Sequence, residues 1–429
     1  MESKTQAQTK LNPVSLTLLK VIVMGLIGIP FAYLFDRSSY SSRFLTHLSN
    51  EHFILVSFLY TLYAFFVMAS FYIILGLRKK ISAYMARDIV PLSKAHYSFI
   101  WVASIILACV CFAYVFIQAG GRHPAFEALH TDYFGIKALR VEIGTTINFN
   151  VFNIGFKFFL PISLVLSLFF LKKKFYFLLS LLVFVLMSTF ILEKGQIVST
   201  IVLIIFFRML FSKLAVKQLA KYTAIGLALI SAMYFLTRFA TDLPTLISGV
   251  SGRIIYGQIA ELPQYFELFS DKKAPLSALL PPYISGAFGL EETTSAARLV
   301  MEHLHPADVA AGLAGVANSF FVGEAFAVAG HTGAVLSPFV VMANLVFCVF
   351  LFCGLKKNIY FVFLFSWFLY RIFDGIFGGI SYFTLSGLHF VLLAIFYFLF
   401  SQTFVKNAKR LKSMARNRKA SPQKSYTGL

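Results

Sequence analysis

Glu324 and His331 stand seven residues apart in ANSFFVGEAFAVAGHTG, the stretch Ala317–Gly333 that leads into a long apolar run. A carboxylate and an imidazole are the side chains that most often take or give a proton near neutral pH. Seven residues are about two helical turns, so a continuous helix would turn both toward one side. That pair could activate a poor nucleophile such as a hydroxyl. Glu324 fits equally well as the buried partner of an arginine such as Arg253 or Arg371. His331 also fits a helix start at a membrane interface. Gly323, Ala327 and Gly330 form a strip of small residues that permits close helix contact.

Cations are the second group with chemistry to offer. Arg122, Lys194, Arg253 and Arg298 fall in connecting segments, and Arg238 and Arg371 fall inside apolar runs. Ionisable groups at such places are costly and usually have a partner or a task. Arginine presents a fixed fork of donors that suits a phosphate. Simple ion pairing is the competing reading: Asp374 follows Arg371 by three residues, and Asp242 follows Arg238 by four. In GLEETTSAARLVMEHLHP, Thr294 or Ser295 could cap a short helix that lines up Arg298, Glu302 and His305. The default there is a solvated, salt-bridged face. His303 and His305 match no zinc spacing, and no Asp-x-Asp pair occurs, so no metal and no cofactor is expected. Walker, GxSxG and HExxH patterns are absent as well.

These residues need elements to hold them, and composition names the kind. The chain has 429 residues, is 59% hydrophobic and contains 51 Phe. Soluble domains are typically about 45–50% apolar. Repeated runs of about 20 apolar residues fit an all-α polytopic membrane protein. The spans read as roughly 14–35, 52–77, 97–118, 151–171, 175–192, 196–212, 222–240, 331–353, 358–376 and 382–404, for about 10–12 helices. No cleavable signal peptide is evident. The four cysteines all lie in apolar runs and read as packed thiols.

Most lysines and arginines fall on one side: the N-terminus, 78–94, 172–174, 208–221, 356–357 and the tail from Lys406. The positive-inside rule makes that side, with both termini, cytoplasmic. The tail KNAKRLKSMARNRK then meets anionic lipid, and nucleic acid is not an expected partner. The division is a bundle over 1–240 with an external loop at 119–150, a large external loop over 241–330, closing spans over 331–404 and a basic tail over 405–429. Long structured loops usually carry function, so 241–330 is the expected working part. No internal repeat is visible, which lowers the case for a secondary transporter.

Three segments together resemble the Wzy-type polymerases of oligosaccharide repeat units, which build O-antigen and surface polysaccharide. The first is Gly323-Glu324-Ala325-Phe326 followed by Gly330-His331-Thr332-Gly333. The second is Arg253 with Gly257-Gln258, early in the large loop. The third is Lys194-Gly195 on the hairpin between two middle spans, where that family often has Arg-Gly. The resemblance implies a GT-C-like membrane fold in the bacterial inner membrane with the active site facing the periplasm. It implies block transfer of a glycan from undecaprenyl pyrophosphate to the next lipid-linked repeat unit. A chain-length regulator protein would be a partner. Glu324 and His331 are then the catalytic candidates. Arg253, Arg371, Arg238, Lys194, Arg122, Gln258 and Arg298 are the candidates for pyrophosphate and substrate. Two other readings stay open: an O-antigen ligase that passes the glycan to lipid A core, and, in a different class, a flippase for lipid-linked glycan.

Overall fold

The computed structural model describes residues 11–35, 51–128, 130–192, 195–212, 216–236, 242–255, 257–279, 289, 294–310 and 317–383. Every regular element among them is helical. In chain order they are α1 (Pro13–Phe31), α2 (Glu51–Ile74), α3 (Leu77–Ala86), α4 (Lys94–Gln118), α5 (Pro124–Ala128), α6 (Tyr133–Thr146) and α7 (Phe149–Leu171). There follow α8 (Lys174–Phe190), α9 (Gly195–Phe211), α10 (Val216–Leu236), α11 (Leu243–Ile255), α12 (Leu262–Leu268), α13 (Ala296–Leu304), α14 (Pro306–Ala310), α15 (Phe321–Gly354) and α16 (Ile359–Gly375). Among the described residues, five helices are long and apolar enough to cross a membrane: α1, α2, α4, α7 and α15. These are the features of an all-α membrane protein. Among the described residues, each span expected before residue 382 overlaps a helix; residues 237–240 of the seventh span and almost all of the expected span 382–404 lie outside the described residues.

Local sequence sets the helix ends. Asn12 accepts from the Ser15 amide while the Ser15 hydroxyl answers the Asn12 amide, with Pro13 at the first helical position. Ser93, Asp132, Asn148, Ser295 and Asn358 cap α4, α6, α7, α13 and α16 by accepting from a backbone amide of the first turn. Inside α7, Pro161 has no N–H to give and crowds the preceding turn, and a π-helical segment at Gly155–Phe159 widens the helix just before it. Trp101 of α4 donates to the Ser180 hydroxyl of α8 at 3.0 Å, a polar tie within an apolar contact.

The core is dominated by α15 and α16. α16 packs on α9, and α15 lies between α2 and α16. α12 belongs to the segment between α10 and α15, yet its Leu262–Phe266 is fully buried against α2 and α15. This segment therefore enters the bundle and forms part of its wall.

Candidate active site

The seven-residue spacing does not bring Glu324 and His331 to one face. α15 is broken between them at Gly330, whose φ of 61° and ψ of −148° are not helical. That backbone region is open to glycine and strained for other residues. The first part, Phe321–Val328, is buried throughout, and Glu324 is 5% exposed. His331 begins the second part and is exposed. The two parts meet closely: a Cβ on Gly333 would stand 2.1 Å from the Ala325 carbonyl oxygen. The expectation of a shared face assumed a continuous helix, and the glycine removes that condition.

Glu324 sits against a turn that follows α16. The backbone of Gly379 has φ +114°, and a Cβ there would lie 2.4 Å from Glu324 Oε2. The turn is tied down residue by residue. The Gly378 amide donates to Gly375 O at 2.9 Å, and the Phe321 amide, which opens α15, donates to Ile376 O at 3.0 Å. Phe373 O is capped by Lys20 Nζ of α1 at 2.8 Å, and the Lys20 ammonium also lies over the Phe373 ring at 4.4 Å. Lys20 thus lines the bundle. As an acid in the first turn of α15, Glu324 meets the positive end of the helix dipole.

From the other side α12 closes over Glu324. A Cβ on Gly323 would stand 2.6 Å from Leu262 Cδ1 and 3.2 Å from the Tyr265 ring, so glycine lets α12 pack this closely. Tyr265 donates from its hydroxyl to Ala317 O at 3.1 Å. Burial pushes the Tyr265 hydroxyl well above its ordinary range, and the charges of Glu324 and Glu261 push it the same way. It stays protonated and serves as a donor. Glu261, 3% exposed, is a second buried carboxylate facing the same tyrosine. Glu261 was not among the sequence candidates. Its signal was an acid set between Ala260 and Leu262-Pro263, immediately before a helix with proline in its first turn.

Around His331 the surroundings change from carboxylate to aromatic and cationic. Tyr60 of α2 places its hydroxyl 2.6 Å from His331 Nδ1, and Phe326 meets the ring edge-on at 5.2 Å. Tyr60 stacks in turn on Phe266 of α12 at 5.4 Å. The segment after α12 crosses the break: the Ala274 amide donates to Ala327 O at 2.7 Å, and Lys273 Cε comes within 3.6 Å of where a Gly330 Cβ would be.

The remaining candidates that are described have these surroundings. Arg371, 19% exposed, sits 4.0 Å from Asp374, six residues before the Glu324 turn opens into Phe377. Arg122 pairs with Glu142 at 2.6 Å and Glu127 at 3.9 Å, all within the segment between α4 and α7. Arg298 reaches Glu302 at 3.3 Å, and Ser295 is the cap. His305 does not continue that face, because it ends α13 at φ −134°. Gln258 lies half-buried in the turn between α11 and α12. Arg253 lies on α11, whose backbone is described, but its side chain falls outside the described residues, as do Arg238 and Lys194. Among the described residues, no three His, Cys, Asp or Glu side chains gather as a metal site. No protein-family model, curated protein or solved structure matches this chain.

Proposed function

We propose that this chain is a membrane glycosyltransferase that polymerises oligosaccharide repeat units carried on undecaprenyl pyrophosphate. In this reading it lies in a bacterial inner membrane with both termini cytoplasmic and the segments 119–150 and 241–330 outside. The support from the sequence is the Wzy-like pattern at Arg253, Gly257-Gln258, Gly323-Glu324 and Gly330–Gly333. The single structural observation that carries the reading is the break at Gly330. It separates a buried carboxylate under α12 from an exposed imidazole beside Lys273, where the long segment meets the bundle.

The transfer has two electrostatic demands. The bond from the anomeric carbon to the pyrophosphate oxygen breaks, and that oxygen keeps the electron pair. The acceptor hydroxyl oxygen forms the new bond to the same carbon, and its proton passes to a base. Cations and donors aimed at the departing pyrophosphate stabilise developing charge, a contribution of about 10²–10³ in rate for one such contact. Lys273, Arg253 and Arg371 are the cations proposed for that task, and His331 follows Gly330, against which Lys273 lies. Glu324 and Glu261 are the carboxylates proposed to take the acceptor proton. Glu324 is covered by the Gly379 turn, so its use as a base requires that turn to swing aside.

The test is purified protein in vesicles with undecaprenyl-pyrophosphate-linked repeat units, read as glycan length on a gel and by mass spectrometry. Elongation without a second protein is the expected result. Transfer only to lipid A core would replace polymerase by ligase, and movement of the lipid-linked glycan across the bilayer without new glycosidic bonds would replace enzyme by flippase. Arg253→Lys should fold and lose most elongation, because an ammonium cannot reproduce the guanidinium fork.

A further inference from the structure

We infer that Tyr60 fixes the proton of His331: its hydroxyl donates to Nδ1, and neutral His331 carries its hydrogen on Nε2 as a donor toward an anionic oxygen. The inference deepens the function proposed above and rests on it for the identity of that oxygen. It rests on this structure alone for the direction of the bond.

The geometry leaves two arrangements for the 2.6 Å contact between Tyr60 Oη and His331 Nδ1. Either the phenol donates and Nδ1 accepts, or Nδ1–H donates and the phenol accepts. A phenol has one hydrogen, and a neutral imidazole has one N–H and one acceptor nitrogen. A phenol O–H is a more acidic, stronger donor than a neutral imidazole N–H, and the bare imidazole nitrogen is a stronger acceptor than a phenol oxygen, so the first arrangement is favoured for this contact. In the first, both groups at the contact are satisfied. The ring nitrogen whose bond is fixed determines the state of the other. Nε2 then bears hydrogen on the exposed edge of the ring, where no described residue bonds it.

Packing holds the ring to this choice. Tyr60 lies between Phe266 of α12, stacked at an interplanar angle of 5°, and the imidazole, stacked at 25°. Phe326 blocks another side. Among the described residues, Tyr60 from α2 and Phe326 from the first part of α15 face His331, and the Lys273 side chain from the segment after α12 lies against the neighbouring Gly330. Tyr60 and Lys273 are the titratable ones. An exposed N–H on the residue that follows Gly330, against which Lys273 lies, is a site for an anionic oxygen. Tyr60 is therefore a positioning residue that makes His331 a donor to phosphate and leaves the acceptor proton to a carboxylate.

The test reads the ring directly. Protein labelled with ¹⁵N-histidine in lipid nanodiscs gives separate Nδ1 and Nε2 resonances, with His331→Gln identifying the pair. The expected wild-type spectrum has hydrogen on Nε2 and a bare, hydrogen-bonded Nδ1. Tyr60→Phe, which keeps the stack on Phe266, should let the two tautomers mix. Hydrogen on Nδ1 in the wild type, or no change in Tyr60→Phe, would overturn the inference. Adding undecaprenyl pyrophosphate to the nanodiscs should move the Nε2 resonance, whereas soluble pyrophosphate at equal concentration should not. A shift from soluble pyrophosphate alone would overturn the lipid-linked source, and a shift from neither would overturn the donor role. Wild-type vesicles that fail to elongate glycan would count against the polymerase reading and leave the tautomer result standing.

Discussion

The two ends of α15 use charge in opposite ways. At its C-terminal end, Arg87 Nη1 donates to Cys353 O at 2.6 Å, and Lys357 Nζ donates to Met85 O at 2.8 Å and Arg87 O at 3.0 Å. The Val90 amide answers with Lys357 O at 2.9 Å. These cations cap carbonyls that the ends of α3 and α15 leave open, and they lock the two segments to each other. At the N-terminal end, Lys273 is exposed and packs its stem on Gly330, while Glu324 and Glu261 are buried around Tyr265. Cations are consumed by backbone at one end, and the exposed Lys273 is kept available at the other. A basic residue in a membrane chain is thus no sign of a site by itself. What separates the two uses is whether its nitrogens already face carbonyls.

Gly379→Ala should produce the largest effect, and it attacks the available end. A non-glycine residue at φ +114° carries a backbone penalty of about 1–3 kcal/mol. The added methyl would also meet the Glu324 carboxylate, forcing either the turn or the acid to move. The variant should insert with a lower unfolding temperature and elongate little or no glycan. Wild-type stability and polymer length would mean that the turn does not hold Glu324 and that the comparison of the two ends has been overdrawn.

Asp374 provides the next test, because Arg371 and Lys20 both face it. Removing one partner of a fully buried pair costs about 3–5 kcal/mol. Asp374 is 40% exposed, so water screens most of this and about 0.2–1 kcal/mol is expected for Asp374→Asn. If Arg371 is held only as an ion-pair partner, Arg371→Lys keeps polymer length and Asp374→Asn matches Arg371→Ala. If Arg371 also binds pyrophosphate, Arg371→Lys loses most elongation at unchanged stability. Thermal unfolding and glycan length at matched expression separate the outcomes.

Much of this arrangement was legible in the sequence, and the illegible part has a common cause. Apolar runs placed the helices because burial of apolar side chains is a local, periodic signal. Ser295 as a cap and Arg298 with Glu302 were readable for the same reason: their partners lie within four residues. The expected common face of Glu324 and His331 failed at one backbone conformation, that of Gly330, which residue type permits without dictating. Tyr60 could not be found at all, since 271 residues separate it from His331. Lys20 and Phe373 are 353 residues apart. Contacts of that kind are set by how helices pack and leave no spacing to read. Glu261 is the intermediate case, an acid whose apolar neighbours gave a hint without a partner.

At the locked end, pH offers a smaller effect with a definite sign. Burial lowers the Lys357 ammonium from 10.5 to about 8, against the opposing pull of Asp88. The unfolded chain then holds more protons than the folded one between those two values, so stability rises with pH across that window. The strain of a charged Lys357 is fully present below about 8 and fades above it. As a neutral amine the side chain still donates to Met85 O and Arg87 O. The unfolding temperature of the wild type, measured against Lys357→Met from pH 8 to 10, should therefore improve steadily. A difference that is flat or falls with pH would show that Lys357 stays charged in its carbonyl cage.

Arg122 should show the smallest effect, and its use is to calibrate the rest. Its guanidinium is 59% exposed and already engaged by Glu142 and Glu127. Exposed pairs of this kind gain little from Coulomb attraction in water and lose side-chain freedom in return. The pair with Glu142 also binds Arg122 to the α6 segment, so its donors are spent, as those of Arg87 and Lys357 are. Arg122→Ala should leave the unfolding temperature unchanged within error, and glycan length with it. The same should hold for the charge-reversed pair Arg122→Glu with Glu142→Arg. Loss of elongation in Arg122→Ala that the reversed pair does not restore would show that this arginine serves the substrate, moving it from the spent cations to the available ones. Restoration by the reversed pair would assign the loss to the fold of the 119–150 segment.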